Sequence, residues 1–397
     1  MTASDRIQQN VIRATYRIVT PMFLGGAEQQ PELRLASFKG ALRFWWRSLM
    51  WGRVKDHHEL SQREAGLFGA SDEKVGQSKV HFQVKDQKLS KRVDVGQVFE
   101  NGKLSGAHYL AYGVMEAFPS HKKGTESGQL TRAMIPGGVF EVECVLSPKL
   151  SASEREQLIG ALVLVGTIGG LGSKSRKGYG SLTLNELVAG GKSRSFPTDA
   201  AERLRQVMSS LDSGQPEWSA WSKQSRVVTV SASGAQAVDV LDLLGREQLF
   251  YRGWGHHGKV LGEDSEKNFV HDHNLYKGLN TSIRYPLRVA FGLPHNYEKG
   301  FQGEVAPASA KLDRRASPLF LHVDQAADKA PPIGVLAFLP ARFLPAGELI
   351  RAFGKTQPLD QSDAFWRPIH GYLDRLIGKP EATPKKTKLK GQEVSLV

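Results

Sequence analysis

Residues 169–182 read GGLGSKSRKGYGSL. Glycines stand at 169, 170, 172, 178 and 180, and Lys174, Arg176 and Lys177 lie between them. Glycine lets the backbone turn and come close to a ligand, and its free N–H groups add to the cations. A nucleotide loop of the Walker type puts Gly directly before Lys-Ser/Thr and runs from a strand into a helix. Here Ser173 precedes Lys174, and the loop leaves a helix and enters a strand. G-x-G-x-x-G does not fit either. As a bare pattern the loop reads equally as an anion cradle or as an ordinary surface turn.

The elements on either side decide the fold. Before the loop, SASEREQLIGALVLVGTIGG begins with Ser151 or Ser153 as a cap and runs as a buried helix to about 169. After it, GSLTLNEL (180–187) alternates as a strand. Strands are also expected at VIRATYRIVT (11–20), VHFQVKD (80–86), AHYLAYGVM (107–115) and GVFEVECVL (138–146). A second helix lies at SFKGALRFWWRSLMWG (37–52), and a short one, SQREAGLFGA (61–70), ends at Gly69. With 80–86 and 138–146 as inner strands the order is β-α-β-β-α-β, a ferredoxin-like α+β unit. The 107–115 strand and the polar stretch 116–131 are insertions in it. Cys144, the single cysteine, falls in a strand and reads as a small core residue.

The 37–52 helix mixes tryptophan with arginine. Ser37 is its expected N-cap, and Phe38, Ala41, Leu42, Trp45 and Leu49 recur on one buried face. Lys39, Arg43 and Arg47 are each four apart and form one cationic stripe. No Asp or Glu occurs between Glu32 and Asp56, so the stripe has no local counter-charge. Such a row suits phosphates, and Trp46 at its border could pack or could stack on an unpaired base.

The second half repeats the fold class less plainly. Residues 191–225 are expected as a linker region holding a short helix, AAERLRQVMSSL. A second, more divergent ferredoxin-like domain then spans 226–378, after a first domain at 1–190. It starts at RVVTVSAS with a helix at about 236–252, and strands follow at 284–294, 317–324 and 332–340. Its last helix, QSDAFWRPIHGYLDRLIG, carries a proline that must kink or start it. Lysine-rich residues 379–397 lack an apolar period and are expected as a disordered basic tail.

Lys and Arg number 53 against 40 Asp and Glu, a formal charge of +13 that favours polyanions. The longest apolar run, residues 158–171, is broken by glycine and well short of the ~20 residues of a membrane span. MTASDRIQQN lacks the apolar core of a signal peptide, and the expected location is the cytoplasm.

Two catalytic readings compete with simple binding. GWGHHGKVLGEDSEKNFVHDHN (253–274) gathers His256, His257, His271 and His273 with Glu263, Asp264 and Asp272. These types could ligate a divalent metal, and His271-Asp272 has the order of a phosphohydrolase dyad, but the dyad needs further ligands on flanking helices. His57 and His58 follow the basic helix closely enough to act as acid and base on an RNA held there.

GGLGSKSRKGYGSL resembles the glycine-rich loop of the RAMP proteins of CRISPR systems. TPMFLGGAEQQPELRLASFKGALRFWWR (20–47) and REAGLFGA (63–70) resemble the signature of the first, head-end subunit of the type III-B (Cmr) RNA-guided effector complex. FGLP (291–294) and RRASPLFLHV (314–323) also resemble pieces of that family. The resemblance implies a non-catalytic RNA-binding subunit of two tandem ferredoxin-like domains, without metal or cofactor. Its partners would be guide RNA, target RNA and neighbouring subunits, near the guide's 3′ end. It carries RNA contacts to Gly172, Lys174, Arg176, Lys177, Gly178, Tyr179 and Gly180, and to Lys39, Arg43 and Arg47.

Overall fold

Strand β1 (Val11–Ile18) sets the first layer: Ile12, Ala14 and Tyr16 turn inward, and Arg13 turns out to Glu143. The computed structural model describes residues 8–396, except 29, 71–75, 91–104, 115–129, 131, 209–210, 212–214, 234, 256, 280, 298–302, 381–386 and 388. After β1 come α1 (Leu35–Met50), α2 (His57–Phe68), β2 (Val80–Leu89), α3 (Gly106–Leu110) and β3 (Gly138–Leu146). The unit closes with α4 (Ala152–Val165), β4 (Leu182–Ala189) and the short β5 (Lys192–Ser193). Its sheet runs β2-β3-β1-β4-β5 with every pair antiparallel. Tyr16, paired with Phe140 in the register, stacks on that ring and donates its hydroxyl to the Leu162 carbonyl of α4.

Local chemistry explains the helix ends. Ser151 and Glu154 form a reciprocal capping box on α4. Asp56 caps α2, and Gly69 ends it with a positive φ of 79°. The expected Ser37 cap is not used. α1 starts at Leu35 after an extended Arg34, with no side-chain cap, because burial of its apolar face holds the first turn.

After α5 (Ala200–Val207), the second unit begins with β6 (Arg226–Ser231) and α6 (Ala237–Arg252). An insertion follows: the β7 (Lys259–Val260) and β8 (Glu263–Asp264) hairpin, α7 (Val270–Tyr276), β9 (His295–Asn296) and β10 (Glu304–Pro307). Then come β11 (Leu319–Asp324), β12 (Ile333–Phe338), the β13 (Leu349–Ala352) and β14 (Lys355–Pro358) hairpin, α8 (Arg367–Leu376) and β15 (Lys390–Val394). The main sheet runs β11-β12-β6-β15, all antiparallel, and β14-β13-β10-β9 form a smaller one. Leaving out insertions, both units run strand-helix-strand-strand-helix-strand. In both, the first strand lies between the third and fourth.

The second sheet is covered on both faces, which explains its unbroken apolar runs. Val335 and Ala337 face the core of the first unit, whereas Leu336 and Phe338 face α6 and α8. Trp45 and Phe44 of α1 meet Phe320 of β11, with ring centroids 5.2 and 5.6 Å apart. The stretch expected as a linker contributes to this layer. Ala200, Leu204 and Trp221 are buried, and Arg203 of α5 donates to buried Asp324 at 2.6 Å.

Three local expectations are corrected. The expected 107–115 strand is not formed over its described residues, 107–114: Ser105 caps α3, and Gly106 lies so close to Gly245 of α6 that a Cβ at 245 would sit 2.0 Å from the Gly106 carbonyl oxygen. Residues 284–294 are not a strand either. The Asp272 carboxylate accepts the Leu287 and Arg288 N–H groups and turns residues 287–291 into a 3-10 helix. The chain end is not wholly disordered, because β15 completes the second sheet and buries Leu389, Val394 and Leu396. The proline of the last helix starts it, at Pro368 in the first turn of α8. Most of the 116–131 insertion lies outside the described residues.

Candidate nucleic-acid interface

The glycine loop between α4 and β4 is held from two sides. Ser173 N–H donates to the Phe23 carbonyl and Gly180 N–H to that of Pro21, while Leu321 N–H of β11 donates to the Arg176 carbonyl. Gly172, at φ 83°, lies where a Cβ would fall 2.4 Å from the Phe23 carbonyl oxygen, so only glycine fits this approach. Lys174 itself adopts φ 65°, and Lys177 N–H closes the turn onto its carbonyl. A loop pinned this way presents its cations at fixed positions.

Two clefts open on either side of it. The first, of 540 Å³, lies between the loop, residues 23–25 and the N-terminal turns of α1. Arg34, Arg132 and Arg176 line it with Ser37 and Trp45, and among the described residues no carboxylate does. The second, of 1400 Å³, runs from the loop across α6 to the insertion of the second unit. It too is lined by lysine and arginine without a described Asp or Glu, and by Tyr109, Tyr112, Trp254 and Tyr276. Ser175 and Arg176 belong to both. The Arg176 guanidinium lies 4.5 Å from the Phe320 ring centroid and 5.2 Å from that of Phe44, and donates to the Ser317 carbonyl. Burial and nearby Arg315 lower its pKa to about 10. Burial, with repulsion from Arg252, Lys174 and Arg176, brings the Lys177 ammonium down to about 7.

Gly172, Lys174, Arg176 and Lys177 therefore stand at the clefts, whereas Gly178 and Gly180 are buried and line neither. Tyr179 does not join them, because its ring is fully buried against Phe23 and its hydroxyl donates to the Ala107 carbonyl. Lys39, Arg43 and Arg47 lie elsewhere and line neither cleft. Arg43 and Arg47 each donate to Glu64 Oε1 of α2 at 2.6 Å, and Lys39 donates to the Phe68 carbonyl. The missing counter-charge of the stripe is thus supplied by the next helix. Trp46 is buried, edge-on to Phe68, and offers no face to a base.

The histidine-rich segment divides. His257 and His273 line the second cleft, His271 lies near Thr281, and His256 is outside the described residues. Asp272 is fully buried and paired with Arg288 at 3.0 Å, while Glu263 pairs with Arg246 and Asp264 closes a hairpin against Lys259. Among the described residues no three His, Cys, Asp or Glu side chains are grouped to hold a metal ion. His57 and His58 stack on each other at 5.1 Å, beside Glu217, and line neither cleft.

Sequence reading missed Arg252, Gln248 and His295, which meet Lys177 in the second cleft. The one local signal is that Gln248 and Arg252 are four apart on a predicted helix. Nothing local places His295 beside them.

Residues 15–183, from β1 through the glycine loop, match the model of the RAMP superfamily. No curated protein sequence matches the chain. Among solved structures it is similar to Cmr1 from Pyrococcus furiosus in its apo form, at 18% identity and a TM-score of 0.56. That alignment covers 97% of this chain and 98% of the other. A further similarity is to a chain of a type III-B Cmr-beta complex bound to cognate target RNA. There the identity is 10% and the TM-score 0.47, over 91% and 99% of the two chains. Among the described residues no helix is long and apolar enough to cross a membrane.

Proposed function

We propose that this protein is a non-catalytic, RNA-holding subunit of a type III-B CRISPR effector complex in the cytoplasm. On this reading its two strand-helix-strand-strand-helix-strand units are tandem ferredoxin-like domains, at 1–190 and 226–378, joined through 191–225. The glycine loop would carry guide or target RNA, near the guide's 3′ end, and other faces would dock neighbouring subunits. The observation that carries the reading is the pinned loop standing between two clefts that hold cations and no described carboxylate. Phosphates released from their counterions suit such walls, and aromatic rings beside them suit unstacked bases. The RAMP match over 15–183 and the Cmr1-like fold support the same reading.

The test is a titration of the purified chain with labelled single-stranded RNA at several salt concentrations, with EDTA or with Mn²⁺. Intact RNA and salt-sensitive binding are expected in both sets. Replacing Lys174, Arg176 and Lys177 together by Ala should weaken unrelated RNAs alike, by roughly ten- to a hundredfold, and flatten the salt slope. Cleavage that needs Mn²⁺ would instead move the function to the His256–His273 segment.

A further inference from the structure

Lys177 differs from the other loop cations in that its ammonium reaches α6 on the wall of the second cleft. Its Nζ donates to Gln248 Oε1 at 3.4 Å. Gln248 is fully buried, and its side-chain Nε2 has no partner within the protein. One turn further along α6, Arg252 donates to the Tyr109 hydroxyl at 2.8 Å and to His295 Nε2 at 3.3 Å. Its guanidinium lies 4.6 Å from the Phe291 ring centroid, and its Nε is also unpartnered. Acceptance of that bond leaves Nε2 unprotonated, and burial among Arg252, Arg288 and Lys177 keeps the imidazole well below its usual pKa. The cleft floor thus gathers two cations and two unused donors, and no described carboxylate lines the cleft.

A half-buried cation with no counter-charge is unfavourable unless something anionic completes it. A donor set of ammonium, guanidinium and amide matches the oxygens of a phosphate. At the mouth of the same cleft Tyr112 is 70% exposed, the most open large apolar side chain among the described residues. An exposed ring lining the same cleft as these cations suits stacking on a base.

We propose that the floor of the second cleft is a distinct phosphate site, in which Lys177, Arg252 and Gln248 hold one phosphodiester of an RNA strand while Tyr112 stacks on the adjoining base. That the phosphate comes from RNA rests on the function proposed above; the site itself does not. Binding is linked to a proton on Lys177. The charged and titratable groups around that amine are Lys174 and Arg176 on the loop, Arg252 on α6 and His295 on β9. All but neutral His295 repel a proton. The bound anion reverses this and draws a proton onto Lys177. Affinity is therefore greatest at and below pH 7 and falls as pH rises above it.

The probe is the dinucleotide ApA, whose single phosphodiester does not titrate in this range, followed by calorimetry on the full chain at pH 6.5, 7 and 8.5. Wild-type binding should be roughly tenfold weaker at pH 8.5 than at pH 7. Lys177→Met should lose about tenfold at pH 7 and its pH dependence too, with an unchanged or raised Tm. Tyr112→Ala should weaken ApA severalfold but leave inorganic phosphate binding unchanged. If Lys177→Met does not fold, Arg252→Gln carries the same expectation for affinity. ApA bound equally by wild type and either variant, or with no dependence on pH, overturns the site. Long RNA bound normally while ApA is not bound removes this site and leaves the RNA-holding reading intact. ApA bound as expected by a chain that binds no longer RNA keeps the site and removes that reading.

Discussion

The stripe on α1 and the cations of the glycine loop look alike on paper, three positive residues each in a stretch without acid. In the folded chain they differ in kind. Arg43 and Arg47 converge on Glu64, supplied by the neighbouring helix, so one of their two charges is neutralised within the first unit. Lys174, Arg176 and Lys177 instead meet further cations, Arg252 and Arg315, brought by the second unit. Opposite charges close in space make a stripe structural, and like charges gathered around a cleft suit an anion. Sequence spacing alone does not separate the two cases, because the deciding partner is remote in sequence.

The sharpest way to break this contrast is through Trp46, which belongs to the structural side. Trp46→Ala should cost about 3–5 kcal/mol of stability, measured by denaturant unfolding, by leaving a cavity against Phe68. A Trp46→Phe variant that stays folded should bind RNA as the wild type does. A selective loss of RNA affinity there would return Trp46 to the interface.

Next in size is the pairing itself. Glu64→Gln leaves two arginines sharing a carboxamide, and should destabilise the fold by about 1–3 kcal/mol, since both guanidinium groups are about a third exposed. Unchanged unfolding would mean that solvent already screens the pair. Replacing Arg43 and Arg47 together by Ala should then change RNA affinity less than twofold at moderate salt. A loss as large as that of the loop variant would put both stripes in the interface.

The last effect concerns the apo protein. Lys177 is held below the ordinary lysine value, so protonating it opposes folding. That opposition is full below pH 7, where folded and unfolded chains both carry the proton. It lifts as pH rises from 7 towards ~10.4, where only the unfolded chain is still protonated. The Tm of Lys177→Met relative to wild type should accordingly be highest near pH 6.5 and decline toward pH 9. A constant difference across that range would show that the amine is solvated in the apo protein.

Elements with strong local period were legible. β1, β3, α4 and α6 fall within a few residues of where alternation, a capping box or helical spacing put them. Failures share a cause. AHYLAYGVM alternates like a strand, yet α3 forms because Gly106 and Gly245 let two helices touch. RYPLRVAFGLP is apolar enough for a strand, yet remote Asp272 bends its backbone. Lysine-rich residues after 379 look unstructured, yet β6 offers a free edge to five of them.

By itself the sequence determined the class of fold, the helix-loop-strand frame of the glycine loop and the excess of positive charge, because propensity, periodicity and composition act over a few neighbouring residues. Only the tertiary structure decided which cations are cancelled and which are left facing a cleft. Glu64 reaches Arg43 across 21 positions, and Gln248 reaches Lys177 across 71. Coulomb energy depends on distance in space, and folding sets that distance.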